Sequence, residues 1–482
     1  MKATSHYRVA FRLVQPRALA ISRSRSSLVG ASWIVVGLTV ALVTIPSDTQ
    51  APGALELPAL LLGLSIIAGM VSEMVSVGMA AGFAAKYIIL LGVIYFLLLD
   101  AFQPDIVMVV PRDAVVYSFI CIALFAVAVH AGASFRAGMP KGIKILASRE
   151  LPLGFLNLQV VLFFVLGTFY YVYSAGFSLA AIANGLFADR WGAPWARTAL
   201  GDSRAFLEHL TYFGFLLPTL TVLIAYKVRT LRHASVLLGA VLSLGFLVFV
   251  FQGGGRRLVG EIIGCAVLTA LIKERHRIGF RGVAITLAAV VVLLVGMEVM
   301  LFSRVQGLDR TDLGEFSMTT VHVDDNLLRL AQTVDLVPRQ YDYVGVRWLM
   351  FVLVRPVPRA WWTGKPTDSG FDLAASLGIT TVALTRSVVG ESYSAFGWAG
   401  VLAVGLFLGF LSGKWSSLLS LDLSAFGAAL YSFGVFPLFL AVRSLDELVL
   451  QTYPLLFWLL AIRILGGSKK VHARGNGYVM ES

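Results

Sequence analysis

Residues 234–251 read ASVLLGAVLSLGFLVFVF, eighteen positions without a charged side chain. Arg229 and Arg232 come before this stretch, and Arg256 and Arg257 come after it. A helix needs about 20 mainly apolar residues to cross the hydrocarbon core of a bilayer, and its charges collect at the two ends. The stretch therefore predicts a transmembrane helix rather than a core helix of a soluble domain.

Runs of the same kind recur along the whole chain. They cover residues 28–46, 57–79, 87–99, 114–133, 151–173, 209–226, 234–251, 258–272, 283–302, 397–413, 425–442 and 449–465. Of the 482 residues, 58% are hydrophobic and 14% are charged, which is too little charge for a soluble surface. We therefore expect one all-α integral membrane domain, residues 1–482, with about 12 transmembrane helices.

The segments between these runs alternate in charge. The basic ones are 1–27, 136–149, 227–232, 273–281 and 466–482, and the neutral or mixed ones include 48–56 and 105–113. Under the positive-inside rule this pattern places both termini in the cytoplasm, with 1–27 as a basic N-terminus and 466–482 as a tail. A cleaved signal peptide is the alternative for the first run, which is long for one and lacks an evident cleavage site.

Two segments expected on the outer side are long, 174–208 and 303–396. The second lies between the ninth and tenth helices, and its apolar stretch 346–354 is too short to span, so it predicts an interfacial or re-entrant helix. Long loops without a function are uncommon. We therefore expect any chemistry to face the outer side.

The net charge of +12 would suggest a nucleic-acid partner in a soluble protein. Here the cytoplasmic segments account for it, so we expect a lipid bilayer and no nucleic acid. The two cysteines, Cys121 and Cys265, both lie in apolar runs and predict buried packing rather than a disulfide or a metal site.

The large outer loop is rich in arginine. Its basic residues are Arg304, Arg310, Arg329, Arg339, Arg347, Arg355, Arg359, Lys365 and Arg386. A guanidinium binds phosphate oxygens in bidentate fashion, so converging arginines would suit a diphosphate. The alternative is that they form ion pairs with the acids of the same loop, such as Asp324 and Asp342.

Three glycines at 253–255 precede Arg256 and Arg257 at the outer end of a predicted helix. Glycines allow a tight turn and close approach of a ligand, and the N–H groups of the following helix start are free to bind an anion. The sequence thus offers a phosphate site at the membrane surface. The alternatives are a plain tight turn, or a pair between Arg257 and Glu261 one helical turn later.

Three other polar residues each allow a functional and a structural interpretation. Arg304 follows the ninth run, either to contact phosphate or to pair with Glu298. Glu391 lies near Arg386, either as a general base for a hydroxyl group or as a structural partner of that arginine. His322 is the histidine of the large loop, either a base or a surface residue.

Motifs for other chemistries are missing from the sequence. We find no histidine or carboxylate pattern with metal-ligand spacing, no P-loop, no nucleophile elbow and no dinucleotide fingerprint. We therefore expect neither a metal nor a cofactor.

Two motifs and the architecture resemble the Wzy-type polymerases of bacteria, which join lipid-linked oligosaccharide repeat units into O-antigen or exopolysaccharide. Residues 356–366, PVPRAWWTGKP, are similar to the family's P-x-P-R-x-x-W-x-x-K-P region. Residues 389–400, VGESYSAFGWAG, are similar to its G-E-x-Y-x-N-F-G-x-x-G stretch, with Ala395 where the family often has Asn. The spacing of Arg386 and Gly397 resembles an arginine motif of such polymerases, although Arg190 and Gly201 share it.

The resemblance implies a metal-independent glycosyltransferase that acts on undecaprenyl-pyrophosphate-linked oligosaccharide at the outer face of the bacterial inner membrane. It also implies a chain-length regulator and a flippase as partners. Cations would stabilise the lipid diphosphate leaving group, and a base would accept the proton of the acceptor hydroxyl. The implied leaving-group cations are Arg256, Arg257, Arg304 and Arg386; the implied bases are Glu391 first and His322 second; the implied substrate contacts are Arg359, Lys365 and Tyr393.

Three other functions stay open on the sequence. An O-antigen ligase would use the same donor with another acceptor, and no ligase-type histidine motif is evident. A transporter or lipid-linked sugar flippase usually has a longer cytoplasmic loop between two halves of six helices than the segment 227–232 provides. Charged residues within helices, such as Glu73 and Glu298, are nevertheless typical of carriers and keep this alternative open. The third alternative is a membrane scaffold without catalytic activity.

Overall fold

The computed structural model places the backbone of most of the chain. It describes residues 16–104, 106–135, 138–196, 207–275, 280–306, 322–355, 357, 361–366, 368–379 and 384–465, with the side chains of these ranges except 16–27, 280–287 and 304–306. Within these residues the regular structure is helical and includes no strand.

The described helices have the following bounds. In chain order they are α1 (Pro16–Thr44), α2 (Glu56–Val77), α3 (Ala85–Val93), α4 (Arg112–Ala133), α5 (Lys141–Ser148), α6 (Leu153–Ser174), α7 (Leu179–Phe187), α8 (Thr211–Gly214), α9 (Leu217–Val228), α10 (Ala234–Gln252), α11 (Arg256–Glu274), α12 (Phe280–Gln306), α13 (Asn326–Leu336), α14 (Val346–Leu353), α15 (Leu373–Ser376), α16 (Ser387–Ser416), α17 (Ala425–Leu440), α18 (Leu445–Leu450) and α19 (Tyr453–Leu465). Helix α3 continues through a π turn and a 3₁₀ turn to Phe102.

Eight helical segments of the described residues are long and apolar enough to cross a membrane. They are Glu56–Val77, Ala85–Phe102, Arg112–Ala133, Leu153–Ser174, Thr211–Val228, Ala234–Gln252, Ser387–Ser420 and Leu445–Leu465. Three shorter apolar helical segments accompany them, Leu28–Thr44, Ala288–Ser303 and Ala425–Leu440. Each predicted apolar run coincides with helical structure, so the prediction of a helical membrane bundle is confirmed.

The described parts of three basic segments, 136–149, 227–232 and 273–281, meet at one end of this bundle, which we call the basic end. Lys227, at the end of α9, pairs at 2.8 Å with Glu150 in the connection between α5 and α6. Lys273 donates to the Leu423 carbonyl at 3.0 Å, and Ser424 donates to the Ala147 carbonyl at 3.0 Å. These contacts join the connections that the charge pattern assigns to a single side of the membrane.

At the opposite end, the first turn of α16 meets the end of α17, where the Val388 N–H donates to the Val442 carbonyl at 2.9 Å. Helix α16 bends sharply soon afterwards, at Phe396 and Gly397. Gly397 has φ +61°, which suits glycine, and an added Cβ would lie 3.0 Å from the Tyr343 hydroxyl. The bend separates a short first segment, 387–395, from the long apolar part of α16.

Backbone groups freed by this bend find partners in the chain before α14. The Ser394 and Ala395 carbonyls accept hydrogen bonds from the Val344 and Gly345 N–H groups, each at 3.0 Å. A buried carbonyl without a partner is costly, so these two bonds hold the bend and dock the chain before α14 onto α16. The segment that carries Arg386 and Glu391 is thereby fixed relative to α14.

Candidate active site

Arginines, carboxylates and one histidine meet at the end of the bundle opposite the basic end. They lie where α11, α13, α16 and α18 begin and where α14 and α17 end, with one carboxylate on α12. We call them the charged network: Arg256, Arg257, Glu298, His322, Asp324, Arg355, Glu391, Arg443, Ser444, Asp446 and Glu447.

Glu298 organises the first part of the network. Its side chain is 5% exposed, Oε1 accepts the His322 N–H at 3.0 Å, and Oε2 lies 3.0 Å from His322 Nδ1. Arg256 donates to the His322 carbonyl at 2.6 Å and lies 3.6 Å from Glu298 Oε1. The imidazole is thus oriented by a buried carboxylate while 46% of its side chain stays exposed.

Glu447 and Asp324 join two arginines in the second part. Arg257 lies 2.5 Å from Glu447 Oε1, and Arg443 lies 3.3 Å from the same oxygen. The Arg443 Nε donates to Asp324. Burial alone would raise the pKa of Asp324, but the Arg443 guanidinium, together with Arg256 and Arg257, outweighs burial and holds that pKa below its ordinary value.

Glu391 forms the third part with the junction of α17 and α18. Its Oε1 contacts the Ser444 hydroxyl, and its Oε2 accepts the Leu445 N–H at 3.0 Å. The same hydroxyl lies 2.6 Å from Asp446 Oδ1, and Asp446 Oδ2 lies 3.3 Å from Arg355 Nε. A carboxylate of α16 is therefore joined by one serine to a second carboxylate.

Arg386 differs from the arginines of the network. It is 6% exposed, donates to the Ser394 hydroxyl at 3.0 Å and the Ser369 hydroxyl at 2.7 Å, and lies over the Phe371 ring at 5.0 Å. Among the described side chains no carboxylate lies within ion-pair distance of it. Burial lowers the pKa of this guanidinium, only partly opposed by Glu391 and Asp372. It is a buried cation held by neutral hydroxyls.

The structure brings four of the residues predicted to act in catalysis or substrate binding into the network: Arg256, Arg257, His322 and Glu391. Arg386 lies just before the first turn of α16, five positions ahead of Glu391. Two pairings weighed above are wrong, because Arg257 pairs with Glu447 rather than Glu261, and Arg386 bonds to serines rather than to Glu391.

The remaining candidate residues lie either outside the charged network or outside the described residues. Lys365 donates to the carbonyls of Arg355 and Val357, each at 2.9 Å, which ties the chain after α14 back to that helix. Tyr393 is buried, with its ring 6.4 Å from Tyr343 and 5.9 Å from Trp398. The side chain of Arg304 and all of Arg359 lie outside the described residues.

Sequence reasoning missed the segment Arg443-Ser444-Leu445-Asp446-Glu447. It supplies more members of the network than any other stretch, from two ends of one short connection. The available signal was composition, since four of the five residues are polar and the segment separates two apolar runs at a side that the charge pattern predicts to be outer. Asp324, seen in the sequence as an ion-pair acid, does pair with an arginine, but with Arg443 of this segment.

Comparison with protein-family models, with curated proteins and with solved structures gives no match for this chain. The class of protein rests on the fold alone: an all-helical, multi-pass membrane protein with a charged network at one end of the bundle. Within the described side chains no three histidines, cysteines or acids lie together as ligands for a metal ion.

The arrangement has two chemical capacities. Arginines at the membrane boundary offer N–H donors to an anion, and Arg386 does so without a carboxylate to displace. Glu391, beside it, is a carboxylate within reach of a hydroxyl group brought to the same place. Together they suit a reaction in which an anion leaves and a hydroxyl loses a proton.

Proposed function

We propose that this chain is an integral membrane glycosyltransferase that polymerises oligosaccharide repeat units carried on undecaprenyl pyrophosphate. The proposal includes twelve membrane crossings, both termini in the cytoplasm, and the charged network at the outer face of the bacterial inner membrane. It is supported by the two motifs that resemble those of Wzy-type polymerases. The observation that carries it is that Arg386, a buried cation with no carboxylate within ion-pair distance among the described side chains, lies five residues before Glu391 at the start of α16.

The proposed leaving group gives the arginines a role in the reaction. When the glycosidic bond to the lipid carrier breaks, the diphosphate gains negative charge, and fixed cations at headgroup depth stabilise it. Arg386 is already buried and held in place by Ser394 and Ser369, so binding a diphosphate requires no ion pair to break there. Arg256 and Arg257 are held by carboxylates and would contribute after exchanging partners.

The acceptor explains the carboxylate. A sugar hydroxyl becomes a good nucleophile when a base accepts its proton as the new bond forms. Glu391 lies on the same short segment as Arg386, so donor and acceptor ends of the reaction meet within two helical turns. Tyr343 and Trp398 lie at the bend close by, each against the buried ring of Tyr393, and their exposed faces are available to sugar rings.

The test is an assay with the purified protein in detergent. Undecaprenyl-pyrophosphate-linked oligosaccharide is supplied without nucleotide sugar or metal, and the products are separated by size. We expect a ladder of polymers, and we expect Arg386→Ala and Glu391→Gln each to lower the rate by about a hundredfold or more. Arg339→Ala is the matched control, because Arg339 lies just after α13, is 58% exposed and pairs with Asp335, four residues earlier.

The alternatives give different results in the same assay. Polymer from the parent that persists in Arg386→Ala and Glu391→Gln would place the site elsewhere. Bound but unchanged substrate would overturn the polymerase, and transfer to lipid A–core when that acceptor is added would identify a ligase. Substrate movement across proteoliposome membranes without any transfer would identify a carrier.

A further inference from the structure

Glu391, Ser444 and Asp446 lie in a row across the junction of α16 and α18. The Ser444 hydroxyl contacts Glu391 Oε1 on one side and Asp446 Oδ1, at 2.6 Å, on the other. Ser444 is 8% exposed, so water does not replace these contacts freely. The outer oxygens of the row are also engaged, Glu391 Oε2 by the Leu445 N–H and Asp446 Oδ2 by Arg355.

The number of protons in this row follows from counting donors. A hydroxyl has a single hydrogen, and an ionised carboxylate can only accept. If both carboxyl groups were ionised, Ser444 would donate to one and present its oxygen lone pairs to the other at hydrogen-bond distance. One further proton removes this conflict, because the protonated carboxyl donates to Ser444 and Ser444 donates to its neighbour.

The neighbouring charges indicate which of the two carboxyl groups holds that proton. Asp446 faces the Arg355 guanidinium at 3.3 Å, with 37% of the Arg355 side chain exposed, which favours ionised Asp446. Glu391 has Asp446 as its neighbouring carboxylate, and Arg386, the cation nearest along its helix, bonds to serines instead. The other charged groups around the junction, Arg443 and Glu447, are engaged with Asp324, Arg257 and each other.

We propose that Glu391, Ser444 and Asp446 share one proton and relay it between the buried end at Glu391 and the exposed end at Arg355. In the resting protein Glu391 holds the proton, Ser444 donates to Asp446, and Asp446 is ionised. The geometry defines this state, and it does not depend on a substrate.

The role of the relay in turnover rests on the proposed glycosyl transfer. The proton of Glu391 passes to Ser444, the Ser444 hydrogen passes to Asp446, and Asp446 releases it to water beside Arg355. Ionised Glu391 then accepts the hydrogen of the acceptor hydroxyl as its oxygen bonds to the donor sugar. The bond from that sugar to the diphosphate breaks, and its electron pair leaves with the lipid diphosphate.

Proton sharing is measured on the substrate-free protein by infrared spectroscopy with isotope-labelled glutamate. At neutral pH we expect a protonated-glutamate carbonyl band that is missing from Glu391→Gln. Asp446→Asn should lower the pH midpoint of this band by about one unit or more, because it removes a negative charge and leaves the Ser444 hydrogen to Glu391. The absence of a band that depends on Glu391 at neutral pH would overturn the proposal.

The serine is tested by a double-mutant comparison. In a Ser444→Ala background, adding Asp446→Asn should move the midpoint by less than half as much, whereas Ser444→Thr keeps the hydroxyl and should keep the full shift. Ser444→Cys, a weak donor, replaces Ser444→Ala if the latter fails to fold. An equal shift with and without the hydroxyl would show that Ser444 passes no proton.

Activity supplies a separate readout. If the polymer ladder forms, Ser444→Ala and Asp446→Asn should move the acid limb of the pH–rate profile, whereas a purely structural role would lower the rate at every pH alike. If the infrared result holds and no ladder forms, the proton is shared but the proposed glycosyl transfer is wrong.

Discussion

Asp324 is the residue whose charge state most directly couples the network to folding. Its pKa is held below the ordinary value by Arg443, despite burial. A carboxyl with a depressed pKa in the folded state stabilises the fold at pH values above its unfolded pKa, about 3.9, and this stabilisation is lost as pH falls through the folded value. We expect Asp324→Asn to lower the free energy of unfolding by about 1–2 kcal/mol at neutral pH.

The pH dependence separates this effect from general damage. The difference in thermal midpoint between the parent and Asp324→Asn should stay constant from neutral pH to about 4 and shrink as the pH falls further, through the unfolded and then the folded pKa of Asp324. Glu150→Gln is the matched control, since Glu150 pairs with Lys227 but its side chain is 70% exposed. It should change the midpoint little at any pH. A difference for Asp324→Asn that stays constant below a pH of about 4 would contradict the assignment.

We expect substitution of two buried glutamates, Glu298 in the charged network and Glu261 next to it, to have opposite effects on stability. Glu298 accepts from His322 and lies beside Arg256, whereas neither carboxylate oxygen of Glu261, 1% exposed, has a hydrogen-bond partner among the described residues. Removing a bonded charge leaves its partners unsatisfied, but removing an unbonded one does not. We expect Glu298→Gln to lower the free energy of unfolding by about 1–3 kcal/mol and Glu261→Gln to leave it unchanged or raised.

Thermal unfolding of both variants in the same detergent measures this contrast. Loss of stability in Glu261→Gln equal to that in Glu298→Gln would mean that Glu261 has an unrecognised partner. The comparison also bears on the network, because Glu261 lies one helical turn after Arg257 on α11 and Arg257 nevertheless pairs with Glu447.

At the scale of elements, α16 and α4 pack through a row of glycines. Gly405, Gly409 and Gly413 repeat every fourth residue, and a Cβ added at Gly409 would lie 2.3 Å from the Val129 carbonyl oxygen. Small residues at this spacing let two helix backbones approach closely in a membrane. We expect Gly409→Ala to lower the free energy of unfolding by about 1–3 kcal/mol, seen as a lower thermal midpoint in detergent.

A glycine without such a neighbour provides the control. An added Cβ at Gly296 on α12 meets nothing within 4 Å. Gly296→Ala should therefore stabilise slightly, by about 0.5–1 kcal/mol, since alanine favours the helix. A midpoint for Gly409→Ala as high as for Gly296→Ala would mean that the two helices lie further apart at this seam.

The helices were predictable because each apolar run carries its own signal, and the structure places helical turns on every one of them. The bend at Gly397 was not, because it depends on hydrogen bonds from Val344 and Gly345, some fifty residues earlier. The partners of Arg257 and Arg443 were equally hidden. Local spacing favoured Glu261 for Arg257, but long-range packing brings Glu447 closer.

On the scale of the whole molecule, the network balances its own charge. Arg256, Arg257, Arg355 and Arg443 each lie within 4 Å of a carboxylate, so the cluster attracts no anion by net charge. An anionic substrate must either use Arg386 or displace a carboxylate. Specific geometry rather than bulk charge would then select the ligand, which suits a lipid diphosphate among the many anionic headgroups of a membrane.

The proposal also requires the network to face outward and the basic end to face the cytoplasm. Native Cys121 and Cys265 are buried, so single cysteines introduced at exposed positions report orientation without interference. Arg339→Cys, after α13, should react with a membrane-impermeant maleimide in cells whose inner membrane is intact. Arg232→Cys, between α9 and α10 at the basic end, should react only after that membrane is opened. The reverse labelling pattern would place the network on the cytoplasmic side, whereas the proposed polymerisation takes place at the outer face. It would therefore overturn the proposed function together with the topology.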